Sequence, residues 1–422
     1  MDSLLDVVNY ILGLGPTVIL PLTLTILGLI FGTGFAKAFK SGITVGIGMV
    51  GVNLVIGVLT DNLGSAAQAM VERFGLSLNV IDAGWPAAAA ASWAAPIAAI
   101  IIPVGIAVNL IMIATKLTKT LDVDIWNYWH FIAAGATAYA VTGGNVWFSI
   151  LAAIIYEVLV LILADKFQHY CEDFFGLEGV SLPTGSTIAF AIIGVPVGKL
   201  VGMIPGLNKL NADPDTIQKR FGIFGEPMMM GLILGFVIGV LAGYDIGKAV
   251  QVAVAMAAVM LLMPRMVKIL MEGLIPISES ARSFLQKKFP GRDLYIGLDA
   301  ALSTGHPAVI STALMMSPVA LLIAVLLPGN AVLPFGDLAT LTFYSAFIVA
   351  SRKGNIIQSV ITMSVVVCFS LWMATNFAPV HTQMMAAAQD VGTTVYSSLD
   401  LGGNLLNWII LKFSQFMAPF VG

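Results

Sequence analysis

Long apolar runs recur along the whole chain, separated by short clusters of Gly, Pro, Asp and Lys. The runs lie near 15–34, 41–60, 96–114, 126–144, 146–164, 227–243, 249–271, 314–328, 338–351, 356–376 and 404–420. They approach or reach the roughly 20 residues that a tilted membrane helix needs, and they predict eleven spans. Two further stretches, 83–95 and 300–313, are too short and too broken to cross and predict re-entrant hairpins. Such backbone is tolerated at depth only where protein or a cavity covers it. Residues 187–204 are apolar but carry Gly194, Pro196, Gly198 and Lys199, which predicts a dipping or broken helix. Residues 278–292 predict a basic amphipathic helix lying on the inner face.

The two halves echo one another. Asp82-Ala83-Gly84-Trp85-Pro86-Ala87 is answered by Asp299-Ala300 and then Gly305-His306-Pro307-Ala308. Ala95-Pro96-Ile97-Ala98 is answered by Ser317-Pro318-Val319-Ala320. Asp124 and Asp337 each open an aromatic-rich segment, and Gly144-Asn145-Val146 matches Gly354-Asn355-Ile356, followed by Ser149 and Ser359. Paired broken segments in two halves of an apolar chain point to a transporter's central site.

Composition fixes the solvent. The chain is 58% hydrophobic and 10% charged, against roughly 25% charged in soluble domains. A net charge of −3 argues against a nucleic-acid partner. Cys171 and Cys368 offer no metal or redox spacing. The first residues lack the basic lead and cleavage site of a signal peptide, so they are read as part of the mature protein. Lys37, Lys40, Lys116, Lys119, Lys166, Lys209, Lys219, Arg220, Arg265, Lys268, Arg352 and Lys353 all fall on one side if the N-terminus is outside. Under that topology the hairpin at 83–95 enters from outside and that at 300–313 from inside. The expected fold is therefore all-α, polytopic and built from two inverted repeats.

Candidate chemistry gathers at the breaks. Glu226, between Gly225 and Pro227, has free backbone donors beside it at a helix start. It either binds or deprotonates a hydroxyl, or it only stabilises the helix dipole. His306 and Trp85 mark the two hairpins, the tryptophan offering a face for stacking. Asp82 and Asp299 either orient hydroxyls or cap the hairpin helices. His130 follows the aromatic cluster Trp126, Tyr128 and Trp129, and Asn145 and Asn355 occupy matched breaks. Glu157 lies inside an apolar span, where an ionisable group is a functional candidate, or else pairs with a buried partner. Catalytic residues, metal ligands and cofactors are not expected. The chain has no phosphate-binding Gly-x4-Gly-Lys-Ser/Thr run, which excludes a primary pump.

The run Ile217-Gln218-Lys219-Arg220-Phe221-Gly222 through Gly225-Glu226-Pro227 resembles component IIC of galactitol-type phosphotransferase systems, in the ascorbate–galactitol superfamily. So do Asp124-Ile125-Trp126-Asn127, Leu261-Leu262-Met263-Pro264-Arg265, and Pro328-Gly329-Asn330 with Leu333 through Thr340. The likeness runs from Leu14 to Trp408. It implies a homodimeric permease of the bacterial inner membrane for a polyol such as galactitol, phosphorylated by a separate IIB protein that a IIA protein recharges. It also implies a fixed scaffold and a mobile, elevator-type core. A single membrane domain would then fill 1–422, surrounded by lipid. The first repeat is 14–164, with scaffold spans in 15–60 and core in 82–164. A connector occupies 165–226. The second repeat is 227–376, with scaffold spans in 227–271 and core in 299–376, and a final span lies at 404–420. Family members often read Pro-His-Gly where this chain has Pro183-Thr184-Gly185, so Thr184 joins the substrate-contact candidates. The rival reading is an ion-coupled secondary permease; a lipid-modifying enzyme lacks a metal-ligand cluster.

Overall fold

A computed structural model describes residues 16–59, 78–207, 221–288, 294–387 and 391–421, with a few isolated positions between them. Helices α1 (Pro16–Ile30) and α2 (Phe35–Leu59) come first. Strand β1 (Val80–Asp82) follows, then α3 (Gly84–Trp93) and α4 (Ala98–Ala114). Next are β2 (Thr120–Asp122), a 3-10 turn (Ile125–Asn127), α5 (Tyr128–Val141) and α6 (Val146–Asp173). Strand β3 (Val180–Ser181) and α7 (Gly185–Gly202) close this series. A second pair, α8 (Pro227–Leu241) and α9 (Ile246–Lys288), then leads into β4 (Tyr295–Gly297), α10 (Ala301–Thr304) and α11 (Pro307–Leu326). The chain ends with β5 (Val332–Leu333), a 3-10 turn (Leu338–Thr340), α12 (Leu341–Ser351), α13 (Ile356–Ala386), β6 (Val395–Ser397) and α14 (Leu405–Val421). The element types after α2 and after α9 run in the same order.

The short strands were not expected from an all-α reading. They make two parallel sheets that tie the halves together. β1 lies between β5 and β6, with Val80 opposite Val332 and Val395. β4 lies between β2 and β3, with Ile296 opposite Leu121 and Val180. Each central strand thus belongs to one half and both of its neighbours to the other. The reason is backbone hydrogen bonding: non-helical residues at depth need partners that lipid cannot supply.

Helices α1, α2, α8 and α9 pack chiefly on one another. Glycines allow the close approach. A Cβ on Gly48 would lie 2.7 Å from the Leu270 backbone, and one on Gly235 would lie 2.8 Å from Ala253. Small residues play this part in membrane interfaces generally. Helix α9 has 43 residues, roughly 65 Å at 1.5 Å each, about twice a hydrocarbon core. The expected inner-face helix at 278–292 is therefore its continuation as far as Lys288, and residues 289–293 lie outside the described set.

Among the described residues, six helices are long and apolar enough to cross a membrane, or seven if a bent pair counts as one. That pair is α3 and α4, bent by 93° after Trp93, where the hairpin at 83–95 was expected. Other expected spans are shorter helices, because several start at a strand end rather than at a membrane surface. The second hairpin breaks at its expected tip, but its second arm is continuous with the span expected at 314–328. Its break falls at Gly305-His306, and α11 runs unbroken from Pro307 through Pro318, since Pro307 opens the helix and His306 caps it. Trp85 and His306 are therefore not counterparts: one starts α3, the other precedes α11. Residues 187–204 are not broken either. Gly194, Gly198 and Gly202 share one face of the continuous helix α7. There they admit Ile348 and Arg352, which approach an added Cβ to 2.2, 3.3 and 2.3 Å respectively.

Gly84 and Gly336 hold the first hairpin against the second half. A Cβ on Gly336 would meet the Gly84 nitrogen at 2.4 Å and the Asp82 carbonyl oxygen at 2.6 Å. Gly336→Ala should cost at least the upper part of the roughly 1–3 kcal/mol typical of overpacking, because backbone cannot give way. Thermal unfolding in detergent should show a clear fall in Tm. Gly305→Ala, in open space, should stay near the parent. Equal Tm values for the two variants would contradict this packing.

Candidate functional site

Strands β1 to β5 are each followed within a few residues by the start of a helix or 3-10 turn, and β6 by a turn that carries Asp400. A helix start carries unpaired N–H donors and partial positive charge, so these junctions need acceptors. The acids supply them. Asp82 takes the Gly84 N–H at 3.0 Å on Oδ1 and the Asp337 N–H at 2.8 Å on Oδ2. Asp337 takes the Trp85 N–H at 2.7 Å and the Asp400 N–H at 3.0 Å, with the Ser398 hydroxyl at 2.8 Å. Asp299 takes the Ala301 N–H at 2.7 Å, and Thr184 Oγ1 takes the Ala300 N–H at 2.8 Å while donating to Asn127 at 2.9 Å. Both oxygens of Asp82 are thus spent on backbone, which favours its capping role over hydroxyl binding.

A cavity of about 160 Å³ lies where these junctions meet. All six strands send it residues from beyond their C-terminal ends: Trp85, Trp126, Thr184 with Ser186, Asp299, Thr340 and Asp400. Trp129 and Phe343 add aromatic wall, and Lys268 and Met271 of α9 close the other side. Trp85 and Trp126 meet edge to face, with centroids 6.0 Å apart. Trp129, Thr184, Ser186, Asp299 and Asp400 are buried. A second cavity of about 170 Å³ shares Trp126 and Met271 and continues along α9 past Leu274 and Ile275 to Glu279, with Asp124 on its far wall. Among the described residues, no His, Cys, Asp or Glu cluster suits a metal ion.

Behind the wall, the Ser186 backbone N–H donates to His130 Nε2 at 3.0 Å, and the Ser186 hydroxyl donates to Asp400 Oδ2 at 2.7 Å. His130 is wholly buried and stacks on Trp129 at 3.7 Å. It stands one layer back from the cavity.

Of the sequence candidates, Trp85, Thr184 and Asp299 are brought together, with Asp82 and His130 supporting them. The others lie elsewhere. Asn145 caps α6 by accepting from Phe148 N–H at 2.9 Å and donates to the Val421 carbonyl. Asn355 caps α13 by accepting from Gln358 N–H at 3.0 Å. Ser149 and Ser359 each donate back to the preceding cap carbonyl, so the two echoes are the same local structure. Glu226 is exposed at the start of α8, with no side-chain cap bond. His306 caps α11 through Nδ1 and packs on Phe174 at 4.5 Å. Glu157 is buried against Gly105 and Tyr128, with Oε1 unpartnered. Sequence reasoning missed Ser186, Lys268, Thr340 and Asp400.

The EIIC-GAT family model, described as "PTS system sugar-specific permease component", matches residues 10–393. The chain belongs to this family. It is 44% identical over 410 residues to the "PTS system galactitol-specific EIIC component" of Escherichia coli K12, covering 96% of this chain and 90% of that protein. The protein of the same description in Escherichia coli O157:H7 gives the same figures. A "Putative permease IIC component" of strain K12 is 39% identical over 404 residues, covering 95% and 92%. This chain is accordingly an integral-membrane permease component.

The caps give a direct test of placement. Asn145→Ala and Asn355→Ala should each cost about 1 kcal/mol of stability, the usual worth of an N-cap, with polyol affinity unchanged by calorimetric titration. A tenfold loss of affinity at normal stability would return them to the binding site.

Proposed function

We propose that this permease component carries galactitol, or a close stereoisomer, into the cell, where a separate IIB protein recharged by IIA phosphorylates it. The cavity carries the reading. Trp85, Trp126 and Trp129 offer aromatic faces for the C–H side of an extended polyol, and Thr184, Ser186, Thr340, Asp299 and Asp400 offer polar groups for its hydroxyls. At roughly 15 Å³ per water-sized position, about 160 Å³ holds on the order of ten such positions, suited to a small polyol. Two carboxylates against one lysine disfavour an anionic sugar acid, because a buried like charge is repelled.

Transport follows from the same geometry. The two element series are inverted copies, with the N-terminus outside and Lys37, Lys116 and Arg352 on the inner side in keeping with the positive-inside bias. Helices α1, α2, α8 and α9 form the scaffold. The remaining helices and both sheets form the core, which slides past α9 and carries the ligand with it. The scaffold pairs as a homodimer, as the family resemblance implies. Phosphorylation traps the product, because a charged ester cannot re-enter an apolar path.

Vesicles holding this chain should accumulate labelled polyol only with matching IIA, IIB and a phosphoryl donor, and the accumulated species should be the phosphate ester. Accumulation of unmodified polyol under an ion gradient alone would instead establish a secondary permease.

A further inference from the structure

One carboxylate on the cavity wall has an oxygen to spare. Asp400 is fully buried, its Oδ2 accepts the Ser186 hydroxyl at 2.7 Å, and its Oδ1 has no hydrogen-bond partner. Asp82 and Asp337, the neighbouring acids of the same junction, have both oxygens occupied by protein donors. Buried carboxylate oxygens in native proteins are nearly always satisfied, so the free Oδ1 marks a place for a donor from outside the protein. We propose that Asp400 reads one particular hydroxyl of the ligand as a hydrogen-bond donor, and that Ser186 and His130 are the positioning residues that aim it. The inference deepens the polyol reading of this cavity and rests on it.

The aiming works through donor and acceptor arithmetic. The Ser186 N–H points at His130 Nε2, so Nε2 carries the lone pair and the ring proton sits on Nδ1. Nδ1 faces the Asn127 carbonyl at 3.4 Å, which can only accept, so the assignment is consistent at both nitrogens. The Ser186 hydroxyl oxygen also lies 2.9 Å from Nε2, but the Ser186 N–H already takes the Nε2 lone pair, so the single hydroxyl hydrogen goes to Asp400 Oδ2 at the shorter 2.7 Å. Asp400 is also held by its own N–H on Asp337. Oδ1 lies 4.0 Å from Nε2, too far to share a hydrogen, and is left for the ligand. A buried carboxyl oxygen without a protein partner gains a hydrogen bond from a ligand hydroxyl and nothing from a C–H. The site therefore selects a hydroxyl over a hydrogen at the contacted carbon.

The test is a cycle between protein and ligand, read by calorimetric titration of the purified protein in lipid nanodiscs with galactitol and its mono-deoxy analogues. One deoxy analogue should bind the parent protein about tenfold or more weakly than galactitol. In Asp400→Asn that ratio should fall to about threefold or less. Ser186→Ala should lower it too. His130→Gln, which keeps an acceptor for the Ser186 N–H, should preserve more of it than His130→Leu, a difference that simple loss of packing would not produce. An unchanged ratio in a folded Asp400→Asn protein would overturn the assignment of Asp400. An unchanged ratio in Ser186→Ala together with equal ratios in the two His130 variants would overturn the positioning role. Trp126→Ala separates the two levels: lost galactitol binding there with an unchanged Asp400→Asn ratio sinks this inference alone, whereas unchanged binding sinks the cavity reading itself.

Discussion

The structure depends on backbone donors at helix starts far from water. Strands β1 to β5 lead into such starts, and lipid offers those N–H groups nothing. An unpaired buried polar group costs about 1–3 kcal/mol, so a set of open junctions would outweigh the whole stability of a typical fold, about 5–15 kcal/mol. Asp82, Asp299, Asp337, Thr184 and His130 answer the need with side-chain acceptors. The same solution lines a cavity with polar groups. Where several helix starts converge, their side-chain acceptors form a polar island inside apolar protein, which is the feature the polyol proposal rests on.

The strand pairing decides where that island lies. Because β1 sits between β5 and β6, and β4 between β2 and β3, neither hairpin can shift without its opposite half. The contact of Gly84 with Gly336 reinforces this. The core thus behaves as one piece, and α9 is the wall against which it rests. Lys268 and Met271 of α9 close the cavity on that side, so the cavity lies between the four-helix group and the strand-tied group.

Much of this was legible in the sequence where residues act locally. The apolar runs marked the long helices, Asn145 and Asn355 marked matched breaks that the structure shows to be helix caps, and Gly84-Trp85-Pro86 located the first hairpin. Strands of two or three residues have no readable alternation, so the sheets were invisible, and with them the convergence that they impose. Asp400 and Ser186 follow such strands and carry no motif of their own. Lys268 looked like an inner-face charge. Glu226 drew notice because Gly and Pro flank it, yet a local break says nothing of where the side chain ends up. The break at Gly305-His306 was legible, but the hairpin at 300–313 and the span at 314–328 were separated, whereas α11 runs through both from Pro307 to Leu326.

The most direct test of the account is a cryo-electron-microscopy structure with polyol bound in nanodiscs. Density for the ligand should lie among Trp85, Trp126, Trp129, Asp299 and Asp400, with Lys268 across from it, and with a ligand hydroxyl within hydrogen-bonding distance of Asp400 Oδ1. Ligand density against Glu226 or His306, with this cavity empty, would contradict the account.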